Sequence, residues 1–359
     1  MFRLITICLT CLSASATASA SPAILSESHL SSPRAAHLAF AIDDSRVAII
    51  GGCVIGKCDS GPASSTIEIF DVESGVTQPA GTLIHPRIGG SGVALDESHI
   101  LIVGGWSNGA PTATAEIFDT RARESRLTGS MSTARGAGAA AKLPDGKVLV
   151  AGGFDMRQNL ATAEIFDPRT GRFTLAGPMT ISRSAPELTA LADGRVLVTG
   201  GLRDGKVTNV AEIFDPSTGR FSLTGPMLEA RYKHAAVALS SGRVLIVGGA
   251  DDAGKKRTLE LYDPATQRFT PQGVLRSARF KIMDSVVQMT DGRVLIAGGA
   301  SRPEVYDPVT GKVTELPIEL GASWNFMTAT RLQRNRVLLA GGYKEGRIEL
   351  TSRAIVLKL

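Results

Sequence analysis

A pair of glycines at the end of an apolar run recurs seven times along this chain. The first glycines of the pairs are Gly51, Gly104, Gly152, Gly200, Gly248, Gly298 and Gly341, at steps of 53, 48, 48, 48, 50 and 43 residues. A period near 48 marks a repeated supersecondary unit, not a string of unrelated domains. We number the units 1 to 7 in that order.

Each unit reads as four short strands. In unit 4, residues 186–191 form a first strand that ends at Asp193-Gly194, a dipeptide suited to a tight hairpin because its central positions favour positive φ. Residues 195–199 form the second strand. Its run Val196-Leu197-Val198 does not alternate with polar residues, so both faces are expected to be buried. Residues 211–214 form the third strand, and Asp215-Pro216-Ser217-Thr218-Gly219 turns the chain into a fourth over 220–224. No segment of ten residues carries helical spacing. One such sheet cannot bury both faces, whereas seven stacked around an axis can.

The sequence resembles the Kelch-repeat family. Gly152-Gly153 is followed by Phe166-Asp167-Pro168 and Phe173, Gly200-Gly201 by Phe214 and Phe221, and Gly248-Gly249 by Tyr262 and Phe269. The family usually has Trp at the second aromatic position, where this chain uses Phe, and units 1, 2 and 6 lose that aromatic. The resemblance implies an all-β, seven-bladed Kelch-type β-propeller occupying residues 21–359.

Two closures of the ring are open. Residues 24–34 align without gaps on 173–183, a fourth strand and the link into the next blade. Residues 23–30 are then the outer strand of blade 7, and 354–359 its third strand. In the competing reading 347–351 form the third strand and 354–359 the fourth. The first joins the two chain ends by sheet hydrogen bonds and leaves no seam.

Residues 1–20 read as a secretory signal peptide, with Arg3, an apolar stretch from Leu4 to Leu12 and a small-residue cleavage site at Ala18-Ser19-Ala20. The expected protein is exported, periplasmic or extracellular, with no membrane span once the signal is removed, and monomeric. Cys53 and Cys58 then remain in an oxidising compartment and are expected to pair. The formal net charge of +5 is spread along the chain, and the one basic run, Lys255-Lys256-Arg257, reads as a solvated loop. No nucleic-acid partner is expected.

Two charged residues recur with the repeat. Arg34, Arg87, Arg135, Arg183, Arg231 and Arg279 enter the first strands, and Glu68, Glu116, Glu164, Glu212, Glu260 and Glu304 lie in the third strands. Blade 7 has Trp324 and Ala354 at these places and so loses both together. The joint loss points to an Arg–Glu pair within each blade, since a lone buried charge is costly. The other reading is a basic collar around the pore for an acidic ligand.

Loop lengths vary on the face carrying the Gly-Gly links, while the Asp-Gly and Asp-Pro turns of the other face are uniformly short. Ligand sites favour variable loops on a rigid scaffold. Trp106 and Trp324 map to the Gly-Gly face, and Asn325 is expected to add a hydrogen-bonding amide at an open notch, a combination suited to a sugar ring or an aromatic side chain. His29, His37, His85, His99 and His234 read as falling in different repeat positions, as ordinary packing or surface residues. No cofactor or metal site is expected. A copper radical enzyme of the galactose oxidase type would need adjacent Tyr and His ligands, and this chain offers Tyr232-Lys233-His234. The expected function is a non-catalytic binding module for a carbohydrate, peptide or protein. A sugar-modifying enzyme, mutarotase-like or oxidase-like, using the same face is the competing class, and a purely structural protein a third.

Overall fold

The computed structural model describes residues 21–359 apart from 57, 59–61, 345 and 347. The segment read as a signal peptide therefore lies outside the described residues. Among those described, no helix is long and apolar enough to cross a membrane.

The repeat unit folds as its turns and apolar runs dictate. In unit 4 the strands are Glu187–Ala190, Val196–Thr199, Ala211–Asp215 and Arg220–Leu223, all antiparallel to their neighbours. Val196 lies opposite Phe214 and Phe214 opposite Phe221, so the two motif aromatics meet across the third and fourth strands at 4.8 Å between ring centroids. The same contact recurs for Phe166–Phe173 and Tyr262–Phe269.

Seven such sheets are present among the described residues. Their innermost strands touch in cyclic order: Leu38–Ala41, Ser91–Ala94, Ala139–Lys142, Glu187–Ala190, Ala235–Ala238, Val286–Gln288, Thr328–Arg331 and back to Leu38–Ala41. The molecule is an all-β propeller with a channel along its axis. Its core is divided among the spaces between sheets. Val196 and Val198 pack against Leu149 and Ala151 of unit 3, while Leu197 packs on Val244 and Ile246 of unit 5. Alternate side chains of one strand serve opposite neighbours, which is why that strand is apolar throughout.

The ring closes through both chain ends. Ala23–His29 pairs antiparallel with Arg353–Lys358, which pairs with Arg336–Ala340 and so joins Thr328–Arg331. Arg353 Nε donates to Glu27 Oε1 at 2.6 Å across this closing pair. The competing closure is overturned: residues 354–358 belong to the third strand, and Glu349–Leu350 instead pairs with Tyr343–Lys344 within the loop. A third strand lies inside the sheet and must be largely buried, which the run 354–357 satisfies and Glu349–Leu350 does not. The basic run also differs from expectation. Lys255, Lys256 and Arg257 lie in the long strand Gly254–Asp263, not in a loop, and Lys256 is ion-paired with Asp251 at 2.5 Å.

Candidate functional site at the channel mouth

The recurring charges build the face on which a site can stand. Each of the six arginines meets the glutamate of its own blade. The distances are 3.0 Å for Arg34–Glu68, 2.6 for Arg87–Glu116, 3.0 for Arg135–Glu164, 2.5 for Arg183–Glu212, 2.6 for Arg231–Glu260 and 2.8 for Arg279–Glu304. All twelve residues are buried. The guanidinium also donates to the carbonyl of the first glycine of the pair, as Arg183 does to Gly200 at 2.9 Å. The carboxylate in turn accepts backbone N–H groups from the link entering the blade, as Glu212 does from Thr180 at 2.6 Å. Burial pulls the guanidinium of Arg183 below its ordinary value while Glu212 opposes the shift. None of the six guanidiniums is offered to a ligand at the surface, so the six arginines do not form an open basic collar.

Two residues past each of the six arginines, and past Trp324 at the same place in unit 7, the chain turns through a left-handed conformation. The seven positions are Ala36, Gly89, Ala137, Ala185, Lys233, Lys281 and Phe326, with φ between 49° and 60°. The innermost strands begin just beyond them, so these residues ring the channel mouth on the Gly-Gly face. Backbone hydrogen bonds tie them across blades. Lys281 N donates to Lys233 O at 3.1 Å, Phe326 N to Lys281 O at 2.9, Ala36 N to Phe326 O at 3.1 and Gly89 N to Ala36 O at 3.1. A further bond joins Ala185 N to Ala137 O at 2.7 Å. Non-glycine residues held at positive φ are strained unless their surroundings fix them, and such strain clusters at functional sites.

The ring is lopsided. On one side it carries only Ala36, Gly89, Ala137 and Ala185. On the other stand Lys233, Lys281 and Phe326, backed by Tyr232, Phe280 and Tyr343. The Lys233 ammonium lies 5.8 Å from the Tyr232 centroid, 5.8 from Phe280 and 5.3 from Phe326. The Lys281 ammonium lies 5.4 Å from Phe280, 5.4 from Phe326 and 5.1 from Tyr343, and it donates to the Tyr343 hydroxyl. Both lysines are half-buried. The cluster was missed in the sequence. The signal was present in the column two places after the repeated arginine, which reads Ala, Gly, Ala, Ala, Lys, Lys, Phe.

The residues expected to bind ligand are placed differently. Trp324 and Asn325 form a two-residue strand paired with Tyr343–Lys344, so their side chains point to opposite sides. Trp324 is half-buried against the core between units 6 and 7, and its Nε1 donates to the Leu320 carbonyl at 3.0 Å. Asn325 is 2% exposed, which removes the amide expected at an open notch. Trp106 packs in a satellite apolar cluster with Ile88, Cys53, Cys58, Phe326 and Tyr343, and leaves no room for a side chain at Gly136. Trp106 thus joins the aromatic side of the mouth indirectly, through that cluster. Cys53 and Cys58 are disulfide-bonded with their Cα atoms 5.3 Å apart, which pins the first Gly-Gly loop within the same cluster.

The histidines correct one expectation. His37 and His234 occupy the same repeat position, three after Arg34 and Arg231, and each lies over the first glycine of the preceding unit's pair, Gly341 and Gly200. His37 Nε2 bonds Thr328 Oγ1 at 3.1 Å, and His234 Nε2 bonds Thr199 Oγ1 at 2.9 Å. Burial pulls both rings down to about 3, with neighbouring guanidiniums adding to the effect. With these nitrogens engaged in separate blades, no group of three or more His, Cys, Asp or Glu side chains comes together to hold a metal among the described residues. The described residues around Tyr232 and His234 do not assemble the ligand set of a copper centre.

Further along the channel, Glu187 and Asp284 follow the mouth residues Ala185 and Lys281 by two and three positions. Enclosure by protein raises the Asp284 carboxyl to about 6. It raises Glu187 well above the usual carboxylate range, and the Asp284 charge pushes it further the same way. Asp284 nonetheless keeps much of its surface open to water, as a group lining a narrow channel does. Two surface hollows lie on the opposite face, among the Asp-Gly and Asp-Pro turns. One lies between units 3 and 4 and includes Asp145 and Pro216, and the other lies between units 4 and 5 and includes Asp193 and Pro264. They repeat with the blades, as the wedge between splayed sheets must, and are lined by charged turn residues such as Asp145, Lys147, Asp193 and Arg195.

The fold and repeats together define a β-propeller carrying Kelch motifs. The Kelch motif matches residues 135–180 and 189–228. In three dimensions the chain is similar to a fungal alcohol oxidase of the AA5 family solved in complex with copper, with a TM-score of 0.75 at 17% identity, over 93% of this chain and 75% of that one. At that identity the likeness is one of fold. No curated protein matches the chain in sequence.

Proposed function

We propose that this protein is an exported, non-catalytic binding module whose ligand sits over the channel mouth on the Gly-Gly face. The observation that carries the reading is the lopsided mouth: a rigid, backbone-bonded ring with one side cut back to Gly and Ala and the other built from Tyr232, Lys233, Phe280, Lys281, Phe326 and Tyr343. Open space beside a wall of aromatic faces and fixed polar heads is how ligand sites are made. Trp106, tied to this wall through the satellite cluster, extends it towards unit 3, where it faces Phe154 at 6.5 Å. The disulfide supports export, since such bonds persist in oxidising compartments. A carbohydrate, peptide or protein ligand is consistent with this surface. Glycan and peptide arrays probed with residues 21–359 test it. A saturable ligand lost in Phe326→Ala and retained in Lys147→Ala, on the opposite face, is the expected result. Binding that survives Phe326→Ala, or turnover of a sugar, would overturn it.

A further inference from the structure

Two ammonium groups are held over the same two rings at the channel mouth. Lys233 and Lys281 both lie within 6 Å of the Phe280 and Phe326 centroids. Aromatic faces offset only part of the cost of holding the Lys281 ammonium in a half-buried place. Elsewhere this protein neutralises its enclosed cations with carboxylates, as six buried arginines show. Lys281 differs. Its polar contact is the neutral Tyr343 hydroxyl, and among the described residues it has no carboxylate partner. Among the described residues, two carboxyl groups further along the channel do not serve it. Asp284, three residues on, is raised by enclosure and gains no stabilisation from a lysine, and Glu187 feels only Asp284.

We propose that the channel mouth binds the anionic group of a small ligand, a carboxylate or a phosphate, at Lys233 and Lys281. The body of that ligand extends over Gly89, Ala137 and Ala185. This rests on the binding-module reading and adds the charge and orientation of the ligand. The anion supplies the counter-charge that Lys281 lacks among the described residues, and the rings fix the ammonium heads in advance, so little side-chain freedom is lost on binding. The Ala and Gly side supplies room. The carboxyl groups of Glu187 and Asp284 stand further in, so a negative ligand head is held at the mouth and not drawn down the channel. Attraction of this kind weakens with salt.

Calorimetric titration at low salt tests the proposal with four probes: galacturonate, galactose, glucose 6-phosphate and inorganic phosphate. The expected result is saturable binding of at least one anion, at least tenfold weaker for neutral galactose and weakened again by added salt. Galacturonate against the two phosphates separates the two anion types. Lys281→Gln should weaken binding at least tenfold while Lys281→Arg retains most of it. Lys233→Gln gives an independent second variant, and circular dichroism confirms that each remains folded. Equal binding of galactose, or unchanged anion affinity in folded Lys281→Gln and Lys233→Gln, overturns the proposal. So does a failure of all three anions to bind. A neutral ligand found on the arrays and lost in Phe326→Ala would overturn the anion site while leaving the binding module standing.

Discussion

Arg183 Nη2 lies 2.5 Å from Glu212 Oε1, and neither side chain is exposed to solvent. The pair does more than cancel charge. Through Arg183 it holds the Gly200 and Val210 carbonyls, and through Glu212 the Thr180 N–H, so one contact fixes the Gly-Gly turn, the third strand and the incoming link.

Removing one partner leaves the other buried and unpaired. Arg183→Ala and Glu212→Ala should each cost about 3–5 kcal/mol. The double variant should cost clearly less than their sum, because the second removal strands no further charge. Urea unfolding of the three variants measures this, and additive losses would mean the two residues act separately.

Closure by the N-terminal strand can be tested by deletion. Without residues 21–31, the strand Arg353–Lys358 loses its outer partner and becomes an exposed edge of a largely apolar strand. The thermal midpoint should fall by roughly 10 °C or more, and the protein should aggregate. Scanning calorimetry and light scattering read both effects. An unchanged midpoint with full solubility would contradict the closure.

His37 and His234 should make the fold acid-sensitive. Both are held neutral down to about 3 in the folded state and titrate near 6.5 when unfolded. Between those values the unfolded chain binds more protons, so stability is present above 6.5 and falls as the pH drops towards 3. The slope is about 1.4 kcal/mol per pH unit for each histidine. His234→Gln should flatten that slope in a series of urea titrations from pH 7 to pH 4. An identical slope would show that the ring is not held neutral.

Asp284 should act in the opposite sense. Its folded value of about 6 lies above the ordinary 3.8, so the folded state holds the extra proton between them. Stability contributed by the protonated form is present below 3.8 and is lost as the pH rises through 6. Asp284→Asn removes that loss. Its thermal midpoint relative to the parent should rise by about 1–2 °C on going from pH 4 to pH 8. The Glu187 carboxyl, relieved of its neighbour's charge, should then titrate lower, which carboxyl NMR can follow. A pH-independent difference between the two proteins would show that the channel leaves Asp284 unperturbed.

The particulars of the repeat explain what could be read early. Gly-Gly, Asp-Gly and Asp-Pro are local instructions, each acting through the conformations its own residues allow, so strand order and turn faces were legible from spacing alone. The Arg–Glu column was legible for a different reason. Blade 7 lost both members together, and coupled loss exposes a contact without a structure. The exposed amide expected at Asn325 is buried because a two-residue strand through Trp324 and Asn325, paired with Tyr343–Lys344, sends neighbouring side chains to opposite sides. Nothing in residues 320–330 announces that pairing.

By itself the sequence determined the architecture: a seven-fold repeat of four-stranded units with sheets buried on both faces. It did so because hydrophobic period and turn chemistry are properties of short segments. Only the tertiary structure decided how the ring closes and what its mouth presents. Residues 23–29 and 353–358 are more than 320 positions apart and meet only when the last unit comes round to the first. Lys233, Lys281, Phe326 and Tyr343 come from three different units, and their meeting depends on the left-handed turns and inter-blade backbone bonds around the axis. Contacts of that range are set by the curvature of the whole ring, which no single segment encodes.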